Sequence, residues 1–208
     1  MTLDQYITSI NQRYKLGMAT EHTFRGDLQQ LIESLVPDIR ATNEPKRQTC
    51  GAPDYIITKK DIPVGFIEAK DIGDNDLDGL KKAGHKEQFD RYKASLNNLI
   101  FTDYLRFHRY RDGQLVETIA IAELAFPSAG GVAVGRGGAF PTGGIAGSGW
   151  IKPLPENFAQ FESMMLDFCS TIGQTIKSSK KLSEMMAGKA RLLANVIEKS
   201  LTNDTENH

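Results

Sequence analysis

The sequence predicts an α/β chain running helix, strands, helix, strands and then a helical extension. Three observations predict it. Apolar residues recur at helical spacing before residue 36 and again after 155. Runs rich in β-branched and aromatic residues fill much of 54–124. A single helical stretch, Leu80–Leu96, interrupts those runs.

Leu3, Tyr6, Ile7 and Ile10 share a face and predict a helix over Met1–Tyr14, ended by Gly17. Thr20 caps a second helix that runs to about Leu35, with Phe24, Leu28, Leu31, Ile32 and Leu35 inward and Pro37 after its end. Asn43–Ala52 is a polar loop. Asp54–Thr58 and Pro63–Ala69 form a hairpin across the polar turn Lys59–Ile62. Asp71–Gly79 is an acidic loop, followed by the helix Leu80–Leu96 with Phe89, Tyr92 and Leu96 at helical spacing. Leu99–Tyr110 is a third strand and Leu115–Leu124 a fourth, joined by an Asp-Gly turn at Asp112-Gly113. Ser128–Trp150 is rich in glycine and poor in charge, which predicts a mobile loop or linker. Glu156–Lys177 and Lys181–Leu201 are two amphipathic helices, and the tail from Thr202 is frayed. The domain expectation is a core over 1–127, a glycine-rich loop or linker over 128–152, and a helical extension or connector over 153–208.

The chain has 208 residues, is 40% hydrophobic and 25% charged, and carries 25 basic against 26 acidic residues. That size supports a sizeable core without staples. A net charge of −1 argues against a dedicated tight nucleic-acid binder, though phosphate contact needs only a local basic patch. Met1–Arg13 lacks an apolar signal core and no run is long enough to span a bilayer, so the expected location is cytoplasmic. Cys50 and Cys169 have no metal-binding spacing and are expected as free thiols.

The chemistry concentrates in Gly51-Ala52-Pro53-Asp54 and Val64-Gly65-Phe66-Ile67-Glu68-Ala69-Lys70. Glu68 and Lys70 are two apart on a strand and therefore share a face, while Ala69 points to the other. Pairing of the hairpin places Asp54 beside Glu68. Two carboxylates and a backbone carbonyl make a hard oxygen site suited to magnesium, and an adjacent lysine stabilises charge developing on a phosphate. The competing reading is a solvated Glu-Lys pair on an exposed strand. The apolar run ahead of Glu68 favours the site, because charges at the end of a buried strand are costly unless paired or metal-bound. Glu21, Arg25 and Gln29 share one helical face, as do Gln88 and Tyr92. Each of these sets has a plainer alternative: a solvated Glu-Arg pair, and a core tyrosine with an incidental glutamine.

Pro53-Asp54 followed by Glu68-Ala69-Lys70 resembles the signature of PD-(D/E)xK nucleases. Gln88-Phe89-Asp90-Arg91-Tyr92 is similar to the Gln-x-x-x-Tyr motif of their RecB-like branch, and Glu21 resembles that fold's early helical glutamate. Longer stretches, including Thr20–Leu28, Ala41–Arg47 and Leu99–Leu105, resemble the N-terminal nuclease region of bacterial restriction-modification enzymes. In those enzymes an adenine-N6 methyltransferase and a target-recognition domain follow on the same chain. Met185–Leu193 resembles the helical connector ahead of the methyltransferase.

The resemblance implies a restriction-endonuclease-like core, a mixed sheet flanked by helices, with magnesium-dependent cleavage of double-stranded DNA and manganese as a substitute ion. Asp54 and Glu68 would be metal ligands together with the Ala69 carbonyl, and Lys70 the catalytic lysine. Glu21 would be an accessory acid near the metal, and Gln88 and Tyr92 accessory site residues. Arg25, Lys86 and Arg91 are the expected phosphate contacts, with Lys46, Arg47, Lys81, Lys82 and Lys93 as further basic candidates. His108 is expected to share a basic strand face with Arg106; His85 could assist, although a lone helix histidine is more often structural or exposed. The glycine-rich segment and the lack of an Asn-Pro-Pro-Tyr motif depart from the family pattern. The expectation is therefore a piece of a longer enzyme, or a solitary nuclease with methyltransferase and recognition partners in trans and a dimer for double-strand cleavage. Two alternatives stand beside it: a non-catalytic DNA-binding or assembly module on the same fold, and a RecB-like repair nuclease acting on DNA ends.

Overall fold

The computed structural model describes residues 1–43, 53–81, 83–126 and 149–170. Most of the expected polar loop over 43–52, nearly all of the glycine-rich segment, and the second C-terminal helix with its tail lie outside the described residues, as do Lys46, Arg47 and Lys82.

The chain opens with α1 (Leu3–Lys15), whose Thr2 and Gln5 complete a capping box, and Gly17 follows at φ 72°. A 3₁₀ turn over Glu21–Phe24 leads into α2 (Arg25–Leu35). Then come β1 (Ile39–Asn43), β2 (Tyr55–Lys59), β3 (Ile62–Ala69), α3 (Ala83–Ser95), β4 (Asn98–Thr102), β5 (Arg106–Arg111) and β6 (Gln114–Ala120). A short pair, β7 (Ala122–Ala125) and β8 (Trp150–Pro153), precedes α4 (Phe158–Ser170).

The six strands β1 to β6 lie in sequence order in one sheet. Only β3 and β4 run parallel, with α3 as the crossover between them; the other neighbours are antiparallel. Side-chain alternation divides the sheet between two apolar clusters. Tyr55, Ile57, Ile67, Ile100, Phe107 and Ile119 pack with residues of α1, α2 and α4. Ile56, Phe66, Leu99, Phe101 and Tyr110 pack with Phe89 and Tyr92 of α3. This mixed sheet flanked by helices, with a helix at the C-terminal side, is the restriction-endonuclease-like α/β architecture that the sequence predicts. No helix among the described residues is long and apolar enough to cross a membrane.

Two hairpins use two-residue turns with both central residues at positive φ, as the right-handed strand twist favours. They are Lys60-Asp61 (49° and 64°) and Asp112-Gly113 (52° and 79°). The β2–β3 pairing then slips: Ile57 faces Gly65 while Thr58 faces Pro63, which leaves Val64 as an extra residue. This bulge sets the register of everything after it.

Several expectations change. β1 was not expected, because only Ile39 and Ala41 of its five residues are buried hydrophobics and the alternation is short. The third strand is two strands. At Thr102 the hydroxyl donates to the Arg106 carbonyl (2.7 Å), and the buried Asp103 carboxylate accepts from the Leu105 and Arg106 amides (3.2 and 2.7 Å), so the chain reverses. Tyr104 adopts φ 70° in this turn. The fourth strand breaks at Ile121, whose amide donates to the Leu105 carbonyl (2.8 Å). The middle helix starts at Ala83 instead of Leu80, because the Asp76 carboxylate binds the Leu80 and Lys81 amides first (2.7 and 2.8 Å).

α4 packs into the same core as the N-terminal helices through Phe161, Met164, Met165 and Phe168, within a compact unit that extends over Met1–Gly173. The Asn98 amide donates to the carbonyls of both Val64 and Phe168 (2.7 and 2.8 Å). Arg109, 2% exposed, donates to Asp167 (2.6 Å). The Phe168 ring lies directly on Gly65, where a Cβ would stand 2.3 Å from Cζ. Gly65→Ala should therefore destabilise the protein by about 1–3 kcal/mol through overpacking. Chemical denaturation checks this, with partial recovery expected when Phe168→Leu is added; an unchanged midpoint would mean that the ring yields without cost.

Candidate functional site

The site forms where β2 begins and β3 ends. Because β2 and β3 are antiparallel with Tyr55 opposite Ile67, Asp54 meets the end of β3. Its Oδ2 accepts the Ala69 amide (2.8 Å), so the backbone of β3 itself positions the carboxylate. Glu68 and Lys70 follow Phe66 onto the α3 side of the sheet. The Lys70 amide donates to the Thr102 carbonyl (2.8 Å), tying this end of β3 to β4.

The Lys70 ammonium donates to Glu68 Oε1 (2.7 Å) and to Gln88 Oε1 (3.2 Å). Gln88 returns a bond from Nε2 to the same Glu68 oxygen (2.7 Å). Tyr92, one turn further along α3, reaches Gln88 only at 3.5 Å and is 1% exposed, packed among the aromatic residues of that face. The Phe89 ring lies 5.6 Å from the Lys70 ammonium. Glu68 Oε2 is buried and has no hydrogen-bond partner among the described residues. Burial, reinforced by the nearby Asp54 charge and opposed by Lys70, pushes the Glu68 carboxyl up to about 7.

The start of α2 supplies the opposite wall. Arg25 Nη2 donates to Asp54 Oδ1 (2.5 Å) and to Glu21 Oε1 (3.0 Å). Tyrosine hydroxyls anchor the backbone here. Tyr55 donates to the Arg25 carbonyl (2.9 Å), Tyr104 to the Glu21 carbonyl (2.5 Å), and Tyr6 to the Tyr104 carbonyl (2.9 Å). Burial raises all three phenols above their ordinary range, so they remain donors. Beside Glu21 is a cleft of about 430 Å³ lined by Tyr14, Thr20, Glu21, His22, Phe24 and Asp71, the last adjoining Lys70.

The sequence-predicted residues thus divide. Asp54, Glu68, Lys70 and Gln88 converge, and Glu21 joins them through Arg25. Arg25 itself, expected as a phosphate contact, lies between two carboxylates. The signal for its pairing with Glu21 was the i, i+4 spacing, but nothing local pointed to Asp54. Lys86 and Arg91 lie on exposed positions of α3, and Lys86 pairs with Asp90. Lys93 sits 4.7 Å from the Tyr110 ring, and Lys81 donates to the Asn75 carbonyl. Arg106 and His108 do not form a free basic face, since Asp103 takes the first (2.7 Å) and Asp78 the second (2.8 Å). His85 lies 3.7 Å from Asp76 and stacks on Phe89 with ring centroids 5.9 Å apart. Tyr104 was missed because Leu99–Tyr110 reads as continuous strand.

Among the described residues no three His, Cys, Asp or Glu side chains form a ready metal-binding group. A cation here would depend on Asp54, Glu68 and backbone or water oxygens. The unpartnered, buried Glu68 Oε2 fits such a hard oxygen donor set.

No protein-family model and no curated protein matches the chain. A solved structure described as a cryoEM structure of a DrdV–DNA complex is similar to it over 57% of this chain and 82% of that one, with 20% identity and a TM-score of 0.45.

The raised Glu68 carboxyl has a consequence for stability. Between about 4.5, its ordinary value, and about 7, the folded chain holds a proton that the unfolded chain has lost. Its contribution to stability is full below that window and falls as pH rises through it. Urea unfolding from about pH 4 to about pH 8 should show a decline that Glu68→Gln removes; parallel curves for the two proteins would contradict the shift.

Proposed function

We propose that this chain is the cutting module of a PD-(D/E)xK nuclease. More specifically, we infer a restriction-type endonuclease domain acting on double-stranded DNA with magnesium, or with manganese in its place. The observation that carries this reading is the buried, unpartnered oxygen of Glu68 beside Asp54 and Lys70 at the end of β3. The pattern Pro53-Asp54, Glu68-Ala69-Lys70 supports it.

In this reading Asp54, Glu68 and the Ala69 carbonyl hold the cation. When bound, the cation would polarise the scissile phosphate and lower the pKa of an attacking water. Lys70, held beside Glu68, orients that water and offsets charge gathering on the phosphate. Gln88 keeps the lysine and the glutamate in register. Tyr92 supports Gln88 from below. The cleft beside Glu21 gives a strand flanking the scissile bond room to lie. Arg25, Lys86 and Arg91 contribute phosphate contacts, and recognition comes from methyltransferase and target-recognition partners in cis or trans. A second copy would serve the other strand, and the setting is cytoplasmic.

A rival reading, a non-catalytic binding or assembly module on the same fold, draws on the saturated contacts of Asp54 and the chain's net charge of −1. A repair nuclease working on ends is the other alternative, prompted by Gln88 and Tyr92.

Plasmid nicking separates the three. Magnesium-dependent nicking of closed circular DNA is expected, abolished by EDTA and lowered about a hundredfold or more by Asp54→Ala or Lys70→Ala. Activity on linear DNA alone would favour the end-directed enzyme. Nicking that survives the double substitution would sink the site assignment, and no cleavage of any substrate would favour the assembly module.

A further inference from the structure

We propose that the Arg25 guanidinium holds the place of the divalent cation at Asp54, so that arginine and metal compete for one carboxylate oxygen. The inference rests on the metal-dependent reading above and adds to it a positioning residue that exchanges partners when the ion arrives.

Both oxygens of Asp54 are already engaged. Oδ2 accepts the Ala69 amide, a backbone contact that belongs to the β2–β3 pairing and persists with it. Oδ1 is held by Arg25 Nη2 at 2.5 Å. Any cation that takes a direct bond from Asp54 must therefore share or displace the guanidinium. Lys70 plays no such part, because it shares Glu68 Oε1 with Gln88 and leaves Oε2 open. The two carboxylates are unequal in this respect: one has an open oxygen, and the other has its oxygen covered by a positive charge.

Displacement of Arg25 is physically accessible. Removing the partner of a buried charge is strongly destabilising unless a second partner is at hand. Here the second partner is present, since the same Nη2 atom lies 3.0 Å from Glu21 Oε1. The backbone behind it is anchored by the Tyr55 bond to the Arg25 carbonyl, by the Tyr104 bond to the Glu21 carbonyl and by the buried Phe24 ring. Helix and strand need not move; only the tip of the side chain shifts from Asp54 toward Glu21. Glu21 in turn borders the open cleft. The exchange would carry a positive charge from the carboxylate to the place where a phosphate strand would enter.

The charges at the site follow the same logic. Without metal, the three carboxylates Glu21, Asp54 and Glu68 face only the two cations Arg25 and Lys70, which leaves one negative charge when all are ionised. With a divalent ion added the site becomes positive, which favours an anionic substrate. Arg25 thus keeps Asp54 from standing as an uncompensated, largely buried carboxylate in the metal-free chain.

The sign of one measurement distinguishes this role from that of a simple clamp. Manganese binding to the full chain is followed by isothermal titration for the wild type and for Arg25→Gln. Loss of a competing positive charge should tighten manganese binding by about tenfold. A clamp that merely steadies Asp54 would give the reverse, weaker binding on substitution. Equal or weaker binding by Arg25→Gln overturns the competition and leaves the metal reading intact. No binding by either chain overturns both.

Should Arg25→Gln fail to fold, the wild-type chain still provides a test. The guanidinium ¹⁵N resonance of Arg25, assigned with Arg25→Lys, should shift as magnesium is added. A resonance unmoved while the Glu68 carboxyl signal responds overturns the proposal.

Discussion

The extra residue at Val64 decides which side of the sheet Glu68 occupies. A strand has a side-chain period of two, so a one-residue slip relative to β2 would turn Glu68 and Lys70 into the cluster under α1, α2 and α4. With the bulge, Phe66, Glu68 and Lys70 face α3, where Gln88 awaits them, while Gly65, Ile67 and Ala69 face α4 and the N-terminal helices. The two roles of β3, supporting the core and presenting charge, are assigned to alternate residues. The close approach of Phe168 at Gly65 is possible only because that position has no side chain.

Electrostatics at the site are resolved by pairing. Each carboxylate has a cationic neighbour, Arg25 for Glu21 and Asp54, Lys70 for Glu68. Glu68 nevertheless remains protonated to about 7, because burial and the Asp54 charge outweigh the lysine. A carboxylate in that position is costly when ionised and lacks a further cation, which is the physical basis for reading it as a ligand. Around it the side chains of the acidic loop after Lys70 are engaged: Asp76 caps the approach to α3 and Asp78 takes His108, while Arg106 joins the loop's Asp74 carbonyl to the buried Asp103 of the β4–β5 turn. The basic residues of β5 are consequently paired, Arg106 and His108 with Asp103 and Asp78, Arg109 and Arg111 with Asp167 of α4, and do not form a free cationic surface.

The sequence revealed most where the chemistry is local. Asp54, Glu68 and Lys70 fall on a single hairpin, and strand periodicity is enough to place two of them on one face. Gln88 was visible through helical spacing. Arg25 was visible as a partner of Glu21, but its bond to Asp54 depends on how α2 docks against the sheet edge, which spacing along the chain does not encode. β1 was hidden by a short, weakly apolar alternation. The reversal at Thr102–Arg106 was hidden by apolar flanks on both sides; its signal was Thr102 and Asp103, two residues whose side chains bond readily to nearby backbone. The split at Ile121 has no comparable local mark, since it comes from a bond to Leu105 in the turn between β4 and β5.

The contact between Phe168 and Gly65 also bears on the order of events during synthesis. The β2–β3 hairpin is a local structure that can close as soon as it is made. Its α4-facing surface, however, gains the Phe168 ring and the second hydrogen bond of Asn98 only from residues about a hundred positions later. A ribosome-bound chain that has exposed Asp54, Glu68 and Lys70 but not yet α4 carries those three groups on an unsupported strand. The geometry of the candidate site is thereby deferred until nearly all of the core has been translated.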